Sequence, residues 1–153
     1  MSIIFVTAGL LVLIFIVIIT IKNSNNSNVD SQYKSKALMS DNEFEFFQRL
    51  VQALPQYYIF PQVSFGAFLQ ANASDFKEKS RIRLTFCQKI ADYVIYDKDK
   101  KIIAIIELDD KMHDIEKDKK RDAMVAKAGY KTIRFQSKRK PSINEIANII
   151  NQI

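Results

Sequence analysis

The chain begins with a run of apolar residues that contains no charge, from Ile3 to Ile21. Nineteen such residues, at about 1.5 Å each in a helix, span roughly 28 Å, close to the hydrocarbon thickness of a bilayer. A cleaved signal peptide is the alternative, but no basic residue precedes the run and no small-residue cleavage motif follows it. We therefore predict a retained transmembrane anchor over residues 1–21.

The next segment, residues 22–37, is polar and rich in Asn and Ser. It carries too little apolar surface to offset the entropy of ordering, which predicts a flexible tether. Residues 38–153 remain, enough for one domain with one core. Lysines follow the apolar run but none precedes it, so the positive-inside rule predicts a single-pass protein of the bacterial inner membrane with its C-terminal domain in the cytoplasm.

The domain is predicted to open with an amphipathic helix, because apolar residues recur at helical spacing at Phe44, Phe47, Leu50, Val51 and Leu54. Ser40 and Glu43 match a capping box at its start, and Pro55 ends it. Glu43 also lies on the same stripe as Phe47. Glu43 is therefore expected to cap the helix, to face a site, or to do both.

Runs of β-branched and aromatic residues predict the strands. Residues 57–63 form one, and Pro61 within it favours an edge position or a bulge. Residues 90–96 and 102–108 are joined by a short turn and so predict an antiparallel hairpin. The second of these is apolar almost throughout, which is typical of a central strand buried on both faces.

The remaining pattern completes a mixed sheet with helices. Residues 64–71 are predicted to form a short helix, while residues 72–88 are ambiguous. A helix over 114–128 ends at Gly129, a strand follows over 130–135, and a second capping box at Ser142 and Glu145 starts the last helix. The order α-β-α-β-β-α-β-α predicts an α/β (α+β) domain in which helices flank a mixed sheet.

Three carboxylates lie inside or at the tip of the apolar hairpin strands. Asp92 lies in the first strand, and Glu107 and Asp109 share one face at the end of the second. Buried carboxylates are costly unless a cation or a donor meets them. If the hairpin brings them together, an all-oxygen site for Mg²⁺ or Mn²⁺ results. A metal there can activate water and polarise a phosphodiester.

Other ionisable residues near the three acids have two interpretations each. Lys89 could stabilise developing charge. His113, the single histidine, could serve as general acid or base or as a metal ligand, or it could be a solvated residue at the start of a helix. In the structural interpretation, Asp92 and Glu107 pair with Lys89 or Arg121, and Asp109 caps the following helix. Arg121 is predicted mainly as a bridge from Asp92 or Glu107 to that helix.

The charge balance favours acidic partners. The formal net charge is +6, and all of it lies beyond residue 21. Six basic residues have two interpretations: they form a solvated surface, or they contact the phosphates of a nucleic acid. They are Lys77, Lys79, Arg81, Arg83, Lys117 and Arg121. The one cysteine, Cys87, allows no internal disulfide and no multi-cysteine zinc site.

The same residues carry a resemblance to a known family. The sequence resembles the DUF2726 family, and through it the very-short-patch-repair-like branch of the PD-(D/E)XK nuclease superfamily, in four segments: Ala91–Ile95, Ile105–His113, Arg121–Asp122 and Ala128–Phe135. The resemblance covers roughly residues 37–150. It implies a restriction-endonuclease-like fold, with Asp92 as the first acid, Glu107 as the second and Glu43 as the helix-borne acid. Asp109 and His113 match the Glu-x-Asp-Asp/Gly-x-x-His pattern of this branch.

One position departs from the superfamily. Its motif has a lysine two residues after Glu107, where this chain has Asp109. Lys89 or Lys111 could substitute, and without a lysine the chemistry would depend on the metal and His113. We therefore carry three hypotheses. The first is a membrane-anchored nuclease that cleaves DNA or RNA with Mg²⁺ or Mn²⁺ bound by Asp92, Glu107, Asp109 and Glu43, without a small-molecule cofactor. The second is an inactive nucleic-acid-binding module, and the third is a tethered protein-interaction domain.

Overall fold

A computed structural model of the chain describes residues 13–19, 33–110 and 115–153, without the side chains of 115–117. The chain divides into two compact units, Met1–Lys36 and Ala37–Ile153. In the first, residues 13–19 are helical. Among the described residues there is no helix of the length and apolarity that a bilayer crossing needs. Most of the predicted anchor and tether lies outside the described residues.

The second unit has the predicted alternation of helices and strands. Its elements are α1 (Asp41–Ala53), β1 (Tyr58–Ser64), α2 (Phe76–Leu84), β2 (Ile90–Tyr96), β3 (Ile102–Asp109), α3 (Ile115–Lys127), β4 (Thr132–Gln136) and α4 (Ile143–Asn151). Single 3₁₀ turns follow β1 at Phe65–Ala67 and β4 at Ser137–Arg139.

The four strands form one mixed sheet in the order β1-β2-β3-β4. The pairs β1/β2 and β2/β3 are antiparallel, and β3/β4 is parallel. Within this sheet β1 lies at an edge and β3 is central, so both predictions for these strands are confirmed. The coarse prediction of an α+β domain with a mixed sheet is confirmed as well.

Two hydrophobic clusters cover the two faces of the sheet. On one face, Phe46 and Leu50 of α1 and Ile146 of α4 pack against Tyr93 and Ile106. On the other face, α3 and the segment between β1 and β2 cover Val94 and Ile105 with a cluster that contains Phe65, Phe86 and Val125. The sheet is therefore buried between two layers, which explains why β3 is apolar almost throughout.

The predicted helix ends are confirmed at three places. Capping boxes form at Ser40 with Glu43 and at Ser142 with Glu145. Gly129 has φ +84°, as a helix-terminating glycine in the left-handed region should.

The predicted helix over residues 64–71 is wrong beyond one turn, because only Phe65–Ala67 is helical, as a 3₁₀ turn. The full helix, α2, lies in the segment whose pattern was ambiguous. It is capped by Asp75, whose side chain accepts from the Glu78 N–H at 2.8 Å. None of its residues is buried, so it lacks the apolar periodicity by which a helix is predicted.

Candidate acidic site on the central strands

Asp92 on β2 and Glu107 on β3 lie opposite each other. The antiparallel register pairs Val94 with Ile105 and Tyr93 with Ile106, and one further step places Asp92 across from Glu107. Both side chains therefore lie on the sheet face that α3 covers, in line with Val94 and Ile105. Asp92 Oδ2 also accepts a hydrogen bond from the Leu108 N–H at 2.8 Å, which ties the two strands together.

Among the described residues, Glu107 is the one charged residue that is buried, with 3% of its surface exposed. Burial raises its pKa to about 8, although the positive charge of Arg121 acts in the opposite direction. The charge of Asp92 raises this pKa further. Glu107 is thus held in an environment that disfavours its ionised form near neutral pH.

The pKa of Asp92 is also raised, mainly by burial, and the hydrogen bond from Leu108 opposes this effect. The charge of Glu43 raises it further, and a hydrogen bond with Glu107 lowers it. The two carboxyl groups are thus close enough to share a hydrogen bond when one is protonated. When both are ionised, neither can donate, and two negative charges face each other in a poorly solvated place.

Arg121 of α3 provides one positive charge to this pair. It forms an ion pair with Oε2 of Glu107, and its guanidinium carbon lies 5.6 Å from the centre of the Phe65 ring. The prediction that Arg121 bridges an acid of the hairpin to the helix is confirmed. The pairing is incomplete, because Glu107 Oε1 and Arg121 Nε are both buried without a hydrogen-bond partner.

Glu43 caps its helix, which confirms the capping interpretation, and its charge also acts on Asp92 of the acid pair. Its Oε2 accepts from the Ser40 backbone N–H at 2.6 Å and from the Ser40 hydroxyl at 2.7 Å. Its carbonyl accepts from the Tyr93 hydroxyl at 2.7 Å. The last contact holds the start of α1 next to β2, within electrostatic reach of Asp92.

Asp109 belongs to a second ionic cluster. Arg134 of β4 donates to Asp109 Oδ1 at 2.7 Å and to both oxygens of Asp122 at 2.9 Å. It also lies 3.4 Å from Asp118. From the sequence, Asp109 was expected to join Asp92 and Glu107. The sequence pattern gives no sign of Arg134 at this place, because the parallel register that sets Arg134 beside Glu107 is a long-range pairing.

Gln62 is a residue of the site that the sequence pattern did not identify. Its backbone has φ +53°, in the left-handed region, and the β1/β2 register sets it across from Asp92, between the pairs Pro61–Tyr93 and Val63–Ala91. Its side-chain amide approaches Glu43 Oε1 at 3.4 Å. The proline within the strand was the one available signal, since it predicted an edge or a bulge here.

The other predicted site residues are distributed as follows. Lys89 is half-buried just before β2, and its carbonyl accepts from the Phe65 N–H at 2.8 Å. The four basic residues of α2 are all exposed: Lys77, Lys79, Arg81 and Arg83. His113 lies outside the described residues, and so does the side chain of Lys117.

The resemblance implies a hard divalent ion, which prefers oxygen ligands. No group of three or more His, Cys, Asp or Glu residues in the described ranges is arranged to hold a metal, so the four predicted ligands do not form one cluster there. Asp92 and Glu107 do fit such an ion as a pair. Glu107 Oε1 is buried without a donor, both pKa values are raised, and Mg²⁺ commonly uses one or two carboxylates plus water.

Comparisons with known proteins give a family and one relative. Residues 35–153 match the family model described as "Protein of unknown function (DUF2726)". An uncharacterized protein of Haemophilus influenzae is 32% identical over an alignment that covers 69% of this chain and 57% of that protein. The match thus spans little more than half the length of this relative. No solved structure matches the chain.

Proposed function

The chain belongs to the DUF2726 family, and from its site we propose that it is a metal-dependent nuclease that hydrolyses phosphodiester bonds of DNA or RNA. The restriction-endonuclease-like fold is part of this proposal. In its support, a mixed sheet between two helical layers carries the acid pair on its two middle strands.

The observation that carries the proposal is the opposition of Asp92 and Glu107. A buried acid beside a half-buried one, both with raised pKa values and with one unsatisfied carboxylate oxygen, is costly to the fold. Such arrangements concentrate at functional sites, where a cation or a proton completes them. A purely structural pair would be expected to have both oxygens of Glu107 satisfied.

In this proposal Asp92 and Glu107 would hold Mg²⁺ or Mn²⁺. When bound, the ion supplies Lewis acidity toward a phosphate oxygen and lowers the pKa of water. Arg121 fixes the position of Glu107 through Oε2 and leaves Oε1 available. Glu43 adds negative potential beside Asp92. Lys89 is proposed to stabilise charge on the substrate, and His113 to transfer protons.

The test is cleavage of labelled DNA and RNA by the full chain while Mg²⁺ or Mn²⁺ is titrated. Glu107→Gln keeps the shape of the side chain and removes its charge, so it should abolish metal-dependent cleavage, and Asp92→Asn should do the same. Glu45→Gln is the matched control, because Glu45 lies on α1 in an ion pair with Arg49 and Lys140 instead. Undiminished cleavage by Glu107→Gln would defeat the proposal.

A second candidate is a nucleic-acid-binding module without catalysis. Two observations favour it: Asp109, at the position where the superfamily has a lysine, is bound by Arg134, and Arg121 already neutralises part of Glu107. This candidate predicts salt-dependent binding of nucleic acid and no turnover at any metal concentration.

The cellular place of this activity is likewise a proposal. The uncharged run Ile3–Ile21 and the lysines after it support a domain held at the cytoplasmic face of the bacterial inner membrane. Fractionation of cells that express the full chain tests it. Retention in the membrane pellet after alkaline washing is expected, and loss of retention on deleting residues 3–21 is the matched comparison.

A further inference from the structure

A cleft of about 560 Å³ lies between α2 and the segment that follows β1. One wall is a single face of α2, with residues at the spacing i, i+3, i+4 and i+7: Phe76, Lys79, Ser80 and Arg83. The other wall consists of residues 66–71, and Phe86 completes the lining. The α2 wall thus contributes an aromatic ring, a hydroxyl and two cations to one concave space.

The basic residues of α2 divide between two faces. At 100° per residue, Lys77 and Arg81 lie on nearly the opposite side of the helix from Lys79 and Arg83, and neither of the former lines the cleft. All four are exposed. This division distinguishes the cleft from an evenly solvated basic surface, because one face of α2 brings two cations and an aromatic ring together in the same cleft.

Phe76 is exposed to an unusual degree for its size, at 81%. It forms no aromatic pair with another ring among the described residues, in contrast to Phe65 and Phe68, whose centroids are 5.1 Å apart. An exposed ring beside cations is the combination that binds unpaired nucleic acid, since the ring stacks on a base and the cations meet its phosphates. A base in a duplex could not reach the ring without being unstacked.

We propose that this cleft binds single-stranded nucleic acid, with Phe76 as the stacking residue and Lys79 and Arg83 as the phosphate-binding residues. The inference deepens the proposed function, on which it rests, by naming the strand state of the substrate. A membrane surface is less well matched, because an anionic bilayer meets a convex apolar face, whereas these cations line a concave cleft.

The cleft and the acid pair are linked through one segment of chain. Phe65 lies under the guanidinium of Arg121, which is paired with Glu107, and the residues directly after Phe65 line the cleft. A strand bound in the cleft is thereby held on the same side of the sheet as Asp92 and Glu107.

Binding is measured by fluorescence anisotropy with a labelled oligothymidylate, on the full chain without divalent metal. Cleavage cannot interfere under this condition, so the result is independent of whether the acid pair is catalytic. The variant Lys79→Ala/Arg83→Ala should weaken binding at least tenfold, and the loss of two phosphate contacts should reduce the slope of log K against log salt by about 1.4. The matched variant Lys77→Ala/Arg81→Ala removes the same charge from the other face and should weaken binding less than threefold.

The stacking role of Phe76 is tested with a matched pair of variants. Phe76→Ala should weaken binding by about tenfold, whereas Leu84→Ala, which removes the other large exposed apolar residue of α2, should not. Phe76→Tyr keeps a ring and should retain binding. All these side chains are exposed, and circular dichroism verifies that each variant is folded.

Three outcomes would overturn the inference. Equal losses from the two double variants would show that only overall charge matters. Binding of a matched duplex as tight as that of the single strand would remove the role of stacking. Binding to phosphatidylglycerol vesicles that depends on Phe76, without binding to the oligonucleotide, would assign the cleft to a membrane surface.

Discussion

Arg121 engages only one of the two carboxylate oxygens of Glu107, the one residue with a charged side chain that is buried among the described residues. The other oxygen, Oε1, is buried and has no hydrogen-bond donor, and Asp92 lies opposite Glu107 on the neighbouring strand. One guanidinium therefore serves two acids. The protonation state of this pair, and any cation that reaches it, should affect both the stability of the fold and the proposed activity.

The first prediction concerns pH. The pKa of Glu107 is raised by burial from 4.5 to about 8, so the folded protein holds a proton that the unfolded chain has lost. Its contribution to stability is complete below 4.5 and is lost as the pH rises through about 8. Within that window the free energy of unfolding should fall with pH by on the order of 1 kcal/mol per unit, and Asp92 acts in the same direction.

Urea denaturation at a series of pH values measures this slope. Glu107→Gln should flatten it. Glu45→Gln should leave it unchanged, because hydrogen bonds from Lys140 and Arg49 lower the pKa of Glu45 and its titration therefore falls below the window. A slope that survives in Glu107→Gln would contradict the assignment.

The second prediction is that a divalent ion reverses this loss. If Asp92 and Glu107 bind Mg²⁺ or Mn²⁺, the ion binds the folded state and raises its stability by mass action. Metal added at a hundred times its Kd should contribute about 2.7 kcal/mol. Thermal melts at pH 8 should shift upward for the natural chain, with Ca²⁺ and EDTA as comparisons, and should not shift for Asp92→Asn or Glu107→Gln.

The third prediction is that the stability lost on replacing Arg121 depends on the charge of Glu107. Arg121→Met leaves a buried carboxylate without its cation and should cost about 3 kcal/mol at high pH, and less at low pH, where Glu107 is protonated. In the Glu107→Gln background the same change should cost less, and the double-mutant cycle gives the coupling energy. Additive effects of the two changes would contradict an interaction between them.

The fourth prediction concerns Arg134, which joins β4 to Asp109 of β3 and to Asp118 and Asp122 of α3. Arg134→Met should cost about 2 kcal/mol, since it leaves partly buried acids near one another. Arg49→Met is the control, because its ion pair with Glu45 is more exposed and should contribute less than about 1 kcal/mol. Chemical denaturation compares the two variants, and equal losses would remove the special role of Arg134.

The fifth prediction separates the backbone of Gln62 from its side chain. Glycine adopts a positive φ without strain, so Gln62→Gly should be about 1 kcal/mol more stable than Gln62→Ala. Both variants lose the amide that approaches Glu43. In the proposed nuclease both should then need more Mg²⁺ for half-maximal cleavage. If Gln62→Ala matched Gln62→Gly in stability, the strain assigned to this position would be absent.

Local patterns were sufficient to predict the parts of the fold that depend on neighbouring residues. The two capping boxes, the hairpin and the central position of β3 each follow from a short stretch of sequence. The sequence places Asp92 and Glu107 on the two strands of this hairpin, so it predicts that they can come together. Their direct opposition also depends on the register shift between Ile95 and Tyr96. Without that shift the Tyr96–Ile102 pairing would continue to set Asp92 across from Ile106, and the turn pattern gives no signal of the shift.

The sequence pattern did not predict features that depend on distant contacts. The helix α2 has no buried face, so apolar periodicity could not reveal it. The pairing of Asp109 with Arg134 depends on the parallel register of β3 and β4, which are separated by a whole helix. The left-handed backbone of Gln62 has no signal in its own residue type, because glutamine rarely adopts it.

That backbone has a consequence for how separate molecules meet. In the described part of the chain β1 pairs with β2 alone, and a free strand edge is a template for self-association. Pro61 has no N–H to offer, and the left-handed turn at Gln62 interrupts the regular row of donors and acceptors. The residues that place an amide beside Glu43 thus also protect the sheet from growing into an aggregate.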